Sequence, residues 1–216
     1  MAKAWARQQA KKNEIAAVLE RGALWIKFHP QTALWAGIGL LAAGLLGAGF
    51  ANKISNEQEE SWSRYAIAQS YAYSRQPQAA IEQIDNLAQT YPASAAAGYG
   101  LLLAGDLMFE QNKFTDAAQT YQRVIETPGS TDTLPLAMAN LGLAQEASGD
   151  CRAAEATHQR FLETYSEHFL AAQSHASIAR CQIKLGEKEK AKATMERMAF
   201  LYPNTYWAQW AQARIK

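Results

Sequence analysis

Apolar residues are distributed along this chain in two ways. From Thr32 to Ala51 the run TALWAGIGLLAAGLLGAGFA carries no charge, and its one polar side chain is Thr32. As a helix rising ~1.5 Å per residue it reaches about 30 Å, the hydrocarbon thickness of a bilayer. A soluble helix of that length keeps a polar stripe toward water, and this one has none. The pattern predicts a single N-terminal transmembrane helix over residues 32–51. A cleaved signal sequence is the main rival, because Gly49 and Ala51 form a small-x-small site. The long leader and the length of the apolar run weigh against it. Mitochondrial import is the weaker rival, since Glu14 and Glu20 interrupt the basic leader. Within the run, Gly39, Ala43, Gly47 and Ala51 recur every fourth residue and form a small-residue stripe suited to packing against another membrane helix. Upstream, Ile15, Val18, Leu19, Leu24, Trp25, Ile26 and Phe28 alternate with charges. That pattern reads as a helix lying at the membrane interface and ended by His29-Pro30.

Beyond the span the apolar pattern returns every 37 residues: Ala80, Ala117, Ala154 and Ala191 each open a similar segment. Counting units from residue 61, the eighth positions are Ala68, Gly105, Gly142 and Ala179, and the twentieth are the four alanines. All eight are small. Between them stand Arg75, Asn112, Gly149 and Gly186, three of which suit a positive φ. Large residues follow at Ile84, Leu87, Tyr121, Val124, His158, Phe161, Met195 and Met198. Pro92 and Pro203 close two units, with Pro128 and Ser166 at the same place in the others.

This arrangement resembles the tetratricopeptide repeat family over residues 61–208, in four units of 37 residues. The resemblance implies an all-α, right-handed α-solenoid of about four helix pairs. It departs from the family in unit length, which is usually 34, and at the fourth position, where Arg64, Leu101, Met138 and His175 replace the usual aromatic residue. The extra residues are expected in loops between units. The tail over 204–216, NTYWAQWAQARIK, reads as a capping helix. The expected organisation is a basic segment over 1–31, the span over 32–51, a linker over 52–60, the repeats over 61–208 and the cap.

Charge then gives an orientation. Net charge is +1, too little for a field that would hold nucleic acid. The distribution is uneven: Lys3, Arg7, Lys11, Lys12, Arg21 and Lys27 precede the span, against Glu14 and Glu20 alone. Just after it, Lys53 and Arg64 are outnumbered by Glu57, Glu59 and Glu60. Positive flanks stay in the cytoplasm, so the repeats are expected in the periplasm of a Gram-negative bacterium, anchored in the inner membrane.

Candidate chemistry is sparse. There is no phosphate loop, nucleophile motif or metal-ligand spacing, so no enzyme activity, cofactor, metal or small-molecule substrate is expected. His158, His168 and His175 read as packing residues, with no carboxylate at ligand spacing beside them. Cys151 and Cys181 fall at the same end of two antiparallel helices, a geometry that fits a disulfide in an oxidising compartment; the alternative is two buried free thiols.

Binding is what the architecture offers. By resemblance, the concave wall takes the second, fifth, ninth, twelfth and thirteenth positions of each unit. These are Trp62, Tyr65, Gln69 and Tyr73, then Tyr99, Leu102, Asp106, Phe109 and Glu110. Leu136, Ala139, Leu143 and Glu146 follow, then Gln173, Ala176, Arg180 and Lys184. The early half is aromatic and the late half small or basic, which suits an apolar or extended protein segment. The family's carboxylate clamp is not matched, since Tyr65 and Leu136 stand where basic residues are expected. In layout the chain resembles the YfgM-type ancillary subunits of the Sec translocon, which implies a membrane-anchored interaction scaffold serving the translocon or a periplasmic chaperone network. The alternative is a structural subunit of a larger envelope machine for secretion, pilus or outer-membrane assembly.

Overall fold

The computed structural model describes residues 20–22 and 24–215. Lys3, Arg7, Lys11, Lys12 and Glu14 of the leader lie outside the described residues, as do Ile15, Val18 and Leu19. The chain divides into two units, residues 1–56 and 57–216. Among the described residues there are helices and turns and no strand.

In the first unit, residues 24–28 are helical and His29 leaves the helix. Its ring stacks on Trp25 with centroids 5.4 Å apart. Helix α1 then runs Pro30–Tyr73. A proline at a helix start costs nothing, because the first N–H groups have no intrahelical acceptor. Residues 52–60, expected as a linker, are helical within α1. No Gly or Pro occurs from Asn52 to Tyr73 to interrupt it. Glu60 and Arg64, one turn apart, are bridged at 2.9 Å.

The second unit continues from α1 through α2 (Pro77–Thr90), α3 (Ala95–Glu110), α4 (Phe114–Glu126) and α5 (Leu134–Ser148). Then come α6 (Cys151–Thr164), α7 (Ala171–Lys184), α8 (Lys188–Leu201) and α9 (Tyr206–Ile215). Local signals set these limits. Ser94 caps α3 by accepting from the Ala97 N–H at 3.1 Å, and Asp150 caps α6 through the Ala153 N–H at 3.1 Å. Turns inside the pairs use positive φ: 57° at Arg75, 59° at Asn112, 91° at Gly149 and 77° at Gly186. Arg75, the residue least suited by type, adopts the same conformation as the glycines, because the pair packing fixes the turn.

Packing explains the 37-residue pattern. The eighth position of a unit meets the residue sixteen further on, and the two trade volume. Gly105 lies under the Tyr121 ring, where an added methyl would sit 2.5 Å from Cε1. Gly142 lies under His158, where it would sit 2.5 Å from Nε2. Where the small residue is alanine the partner is aliphatic: Ala68 shares a core cluster with Ile84, and Ala179 shares one with Met195. Ala80, Ala117, Ala154 and Ala191 are all buried.

From α2 onward consecutive helices pack on one another, and α3 also touches α5, α5 touches α7, and α7 touches α9. Helices α2, α4, α6 and α8 make no such mutual backbone approach. Long side chains such as Arg123 and Asp85, 2.9 Å apart, span from α4 to α2 instead. A stack that is closer on one side bends toward it, so the α3–α5–α7 layer is the concave wall. Helix α9 covers the end of the stack with Trp207, Trp210 and Ile215 against the Met195 and Met198 core.

Gly142→Ala should destabilise the protein by about 1–3 kcal/mol through overpacking against His158. Adding His158→Met, which recreates the Ala179/Met195 pairing, should restore most of it; urea unfolding of the four members of the cycle measures the coupling. Burial lowers His158 from the ordinary imidazole value of 6.5 to about 4 and His175 likewise to about 4. The unfolded chain takes up those protons first, so this stability is complete above about pH 6.5 and is lost as the pH falls toward about 4. A denaturation midpoint that does not move across that window would contradict the assignment. His158→Phe should flatten the dependence.

Candidate interaction surface

Three groups of side chains occupy the concave wall. The first is aromatic. Trp62 stands edge-on to Tyr65 at 5.7 Å and tilts against Tyr99 at 5.6 Å; Tyr65 and Tyr99 are 6.3 Å apart. Gln69 donates to the Tyr65 hydroxyl at 3.0 Å. Beneath them Tyr65 touches the Leu87, Ala96 and Ala97 core, so the rings are held from below. Trp62 keeps an exposed edge. Tyr73 is outside this group, at 85% exposure on the last turn of α1.

The second group surrounds Asp106. Its Oδ1 accepts from the Tyr121 hydroxyl at 2.6 Å and from Asn140 Nδ2 at 3.1 Å. Burial pushes the Asp106 carboxyl above its ordinary range, against the two hydrogen bonds. Phe109, Glu110, Asn140 and Leu143 line an open cavity of about 250 Å³ with Asp106 and Tyr121. Phe109 also stands edge-on to Phe114 at 5.0 Å. Leu102 packs into the clusters on both sides of α3.

The third group is ionic. Arg180 forks onto Glu146, with Nε to Oε1 and Nη2 to Oε2 each at 2.7 Å, and Nη2 also donates to Ser177 at 2.7 Å. Lys184 Nζ lies 3.8 Å from Glu146. Burial would raise Glu146, but the Arg180 bonds and charge, with Ser177 and Lys184, hold it below its ordinary range. Arg180, expected as a basic contact for a partner, is committed to this fork, and only the Lys184 head remains largely exposed.

Sequence reasoning named Asp106, Glu146 and Arg180 one at a time and missed their partners. A signal existed: Asp106–Asn140 and Glu146–Arg180 are both 34 residues apart. That is one unit less about one helical turn, the stagger between neighbouring first helices. A second recurring bridge lies inside the pairs, where Thr120, Thr157 and Thr194 donate to Met108, Gln145 and Gln182, each 12 residues earlier.

Elsewhere, Gly39, Ala43, Gly47 and Ala51 lie exposed on α1, and a methyl at either glycine would meet nothing within 4 Å. The histidines do not converge. His158 packs over Gly142, His168 lies between Phe161 and Phe169, and His175 faces Tyr202. No group of His, Cys, Asp or Glu among the described residues could hold a metal ion. Cys151 and Cys181 are free, buried thiols in one apolar cluster.

The tetratricopeptide repeat family matches residues 99–130 and 177–205. The chain carries tetratricopeptide repeats. Solved structures agree on this helical repeat fold. MamA from Desulfovibrio magneticus RS-1 is similar at a TM-score of 0.53 and 15% identity, covering 65% of this chain and 75% of that one. A Podosopora anserina protein described as a kinesin light chain with nearly identical TPR-like repeats gives 0.56 and 14%, covering 73% and 84%. The apo form of RapI gives 0.61 and 10%, covering 72% of this chain and 46% of its own. At these identities the likeness is one of fold. No curated protein matches the chain by sequence. Tetratricopeptide repeats suggest a scaffold for protein–protein interaction.

Arg180→Leu should cost about 2 kcal/mol, because it strands the Glu146 carboxylate with one long contact to Lys184. Combining it with Glu146→Leu should recover much of the loss. Urea midpoints of the two single variants and the double variant check this, and full additivity would mean the fork carries no coupling.

Proposed function

We propose that this protein is a membrane-anchored interaction scaffold whose repeat domain works on the extracytoplasmic side of the inner membrane, in the manner of an ancillary translocon or chaperone-network subunit. One observation carries the reading: the apolar side chains from Leu34 to Phe50 have no protein cover. Leu40, Leu45 and Leu46 are each about three-quarters exposed, at 76%, 75% and 76%. A core helix buries such residues. This one is long and apolar enough to cross a membrane, and none of its apolar window is buried. Lipid supplies the missing cover. A signal sequence passes the same length and composition test, and it is separated from an anchor by the size of the mature chain.

The aromatic group fits the proposed role. Trp62, Tyr65 and Tyr99 offer a large contact area at low entropy cost, already fixed by the core beneath. That suits apolar segments of an extended client chain. The late part of the wall has its charges paired internally and contributes shape and the Lys184 head.

Two measurements test the proposal. Protease added to spheroplasts should remove the repeats while leaving the leader protected; protection of the repeats would reverse the orientation. Photocrosslinkers at Tyr65 and Tyr99 should capture translocon subunits or secretory chains, whereas one at Glu126, exposed on α4, should not. Tyr65→Ala with Phe109→Ala should reduce capture about tenfold, as expected for loss of about 1.4 kcal/mol or more of contact energy. One stoichiometric envelope complex at these positions, with no client chains, would instead identify a structural subunit of a larger machine.

A further inference from the structure

Cys151 and Cys181 are the only cysteines in the chain. Cys151 opens α6 directly after the Asp150 cap and the Gly149 turn. Cys181 lies one turn before the end of α7. The two antiparallel helices therefore bring both residues to the same end of the pair. There they share a small cluster with Ala154 and Leu185, with Cys151 4% exposed and Cys181 fully buried. Thiols in separate core positions have no reason to meet. These two are packed with Ala154 into one small buried cluster.

We propose that Cys151 and Cys181 are an oxidisable pair that closes into an intramolecular disulfide, tying the start of α6 to the end of α7. The co-reactant is a small or protein disulfide. The Cys151 sulfur, the less deeply buried of the two, gives up its proton, attacks one sulfur of that disulfide and releases the first thiol. Cys181 then loses its proton, attacks the Cys151 sulfur and releases the second thiol. Two protein S–H bonds are replaced by one S–S bond, and the co-reactant takes up both electrons and both protons. The order of attack follows the environment, because burial and the neighbouring Cys151 push the Cys181 thiol up. The bond would fix α7 against the Gly149 turn beside the Glu146–Arg180 fork and so set the angle between two neighbouring pairs on the wall. Its presence in cells rests on the proposed extracytoplasmic placement; the pairing itself does not.

The test uses the full chain in mild detergent, reduced and then equilibrated with glutathione disulfide under native conditions. Expected are a mass lower by about 2 Da from loss of two hydrogens, no alkylatable thiol, no covalent dimer, and a melting temperature raised by roughly 5–10 °C. Two thiols that stay alkylatable, stable glutathione adducts, or dimers in place of the internal bond would overturn the proposal. Cys151→Ala and Cys181→Ala should each abolish the oxidant-dependent shift, and the wild-type mass decides the matter even where a variant folds poorly. Acid-quenched alkylation of cells separates the two readings. Bridged protein supports both, whereas free thiols in cells that bridge after purification leave the pair standing and overturn the extracytoplasmic placement.

Discussion

The repeat domain depends on a backbone approach made over and over at one position of the unit. At Gly105 and Gly142 a ring lies where a methyl would be; at Ala68 and Ala179 the methyl is present and an aliphatic side chain takes the ring's place. Bulk absent from one partner is supplied by the other while the identities change, which is how a close-packed interior tolerates variation. That contact sets the separation of the helices in each pair. The separation in turn fixes the stagger of one first helix on the next, and the stagger decides which polar groups on the wall can meet.

The same contact explains why the fold was legible in the sequence. A packing rule that admits only Gly or Ala leaves a mark every 37 residues, and the turns leave another wherever a glycine occupies the positive-φ site. Arg75 was harder to read, because its conformation is imposed by packing on both sides and not by its own preference. Residues 52–60, expected as a linker, are helical. Their acidic and amide side chains look like a solvated connection, yet Lys53 and the run from Glu57 to Glu60 favour helix and no Gly or Pro breaks it. Polarity says that a segment meets water; it does not say that the segment is irregular.

The wall was less legible than the fold. Its positions could be named from the period, since the period gives the face, but their chemistry depends on what lies one unit away. Arg180 is the plain case. Taken singly it is a cation on a binding surface, whereas beside Glu146 and Ser177 it is a structural group with its Nε and Nη2 already engaged. Asp106 behaves in the same way toward Tyr121 and Asn140. Trp62, Tyr65 and Tyr99 differ, because their contact capacity lies in ring faces and edges that a neighbour only partly covers.

This difference divides the wall by what it can still offer. In the α5–α7 part the Glu146 and Arg180 charges are already paired with each other, so binding to them would first have to break a charge-assisted fork. The rings contributed by α1 and α3 keep apolar surface exposed while their bases are anchored, so contact there costs little ordering and gains desolvation. On the proposed scaffold reading, affinity therefore belongs to the first turns of the repeat domain, which in sequence lie nearest the apolar helix. The later pairs act as a stiff extension, whose internal angle is the property that the Glu146–Arg180 fork and the two cysteines are placed to hold.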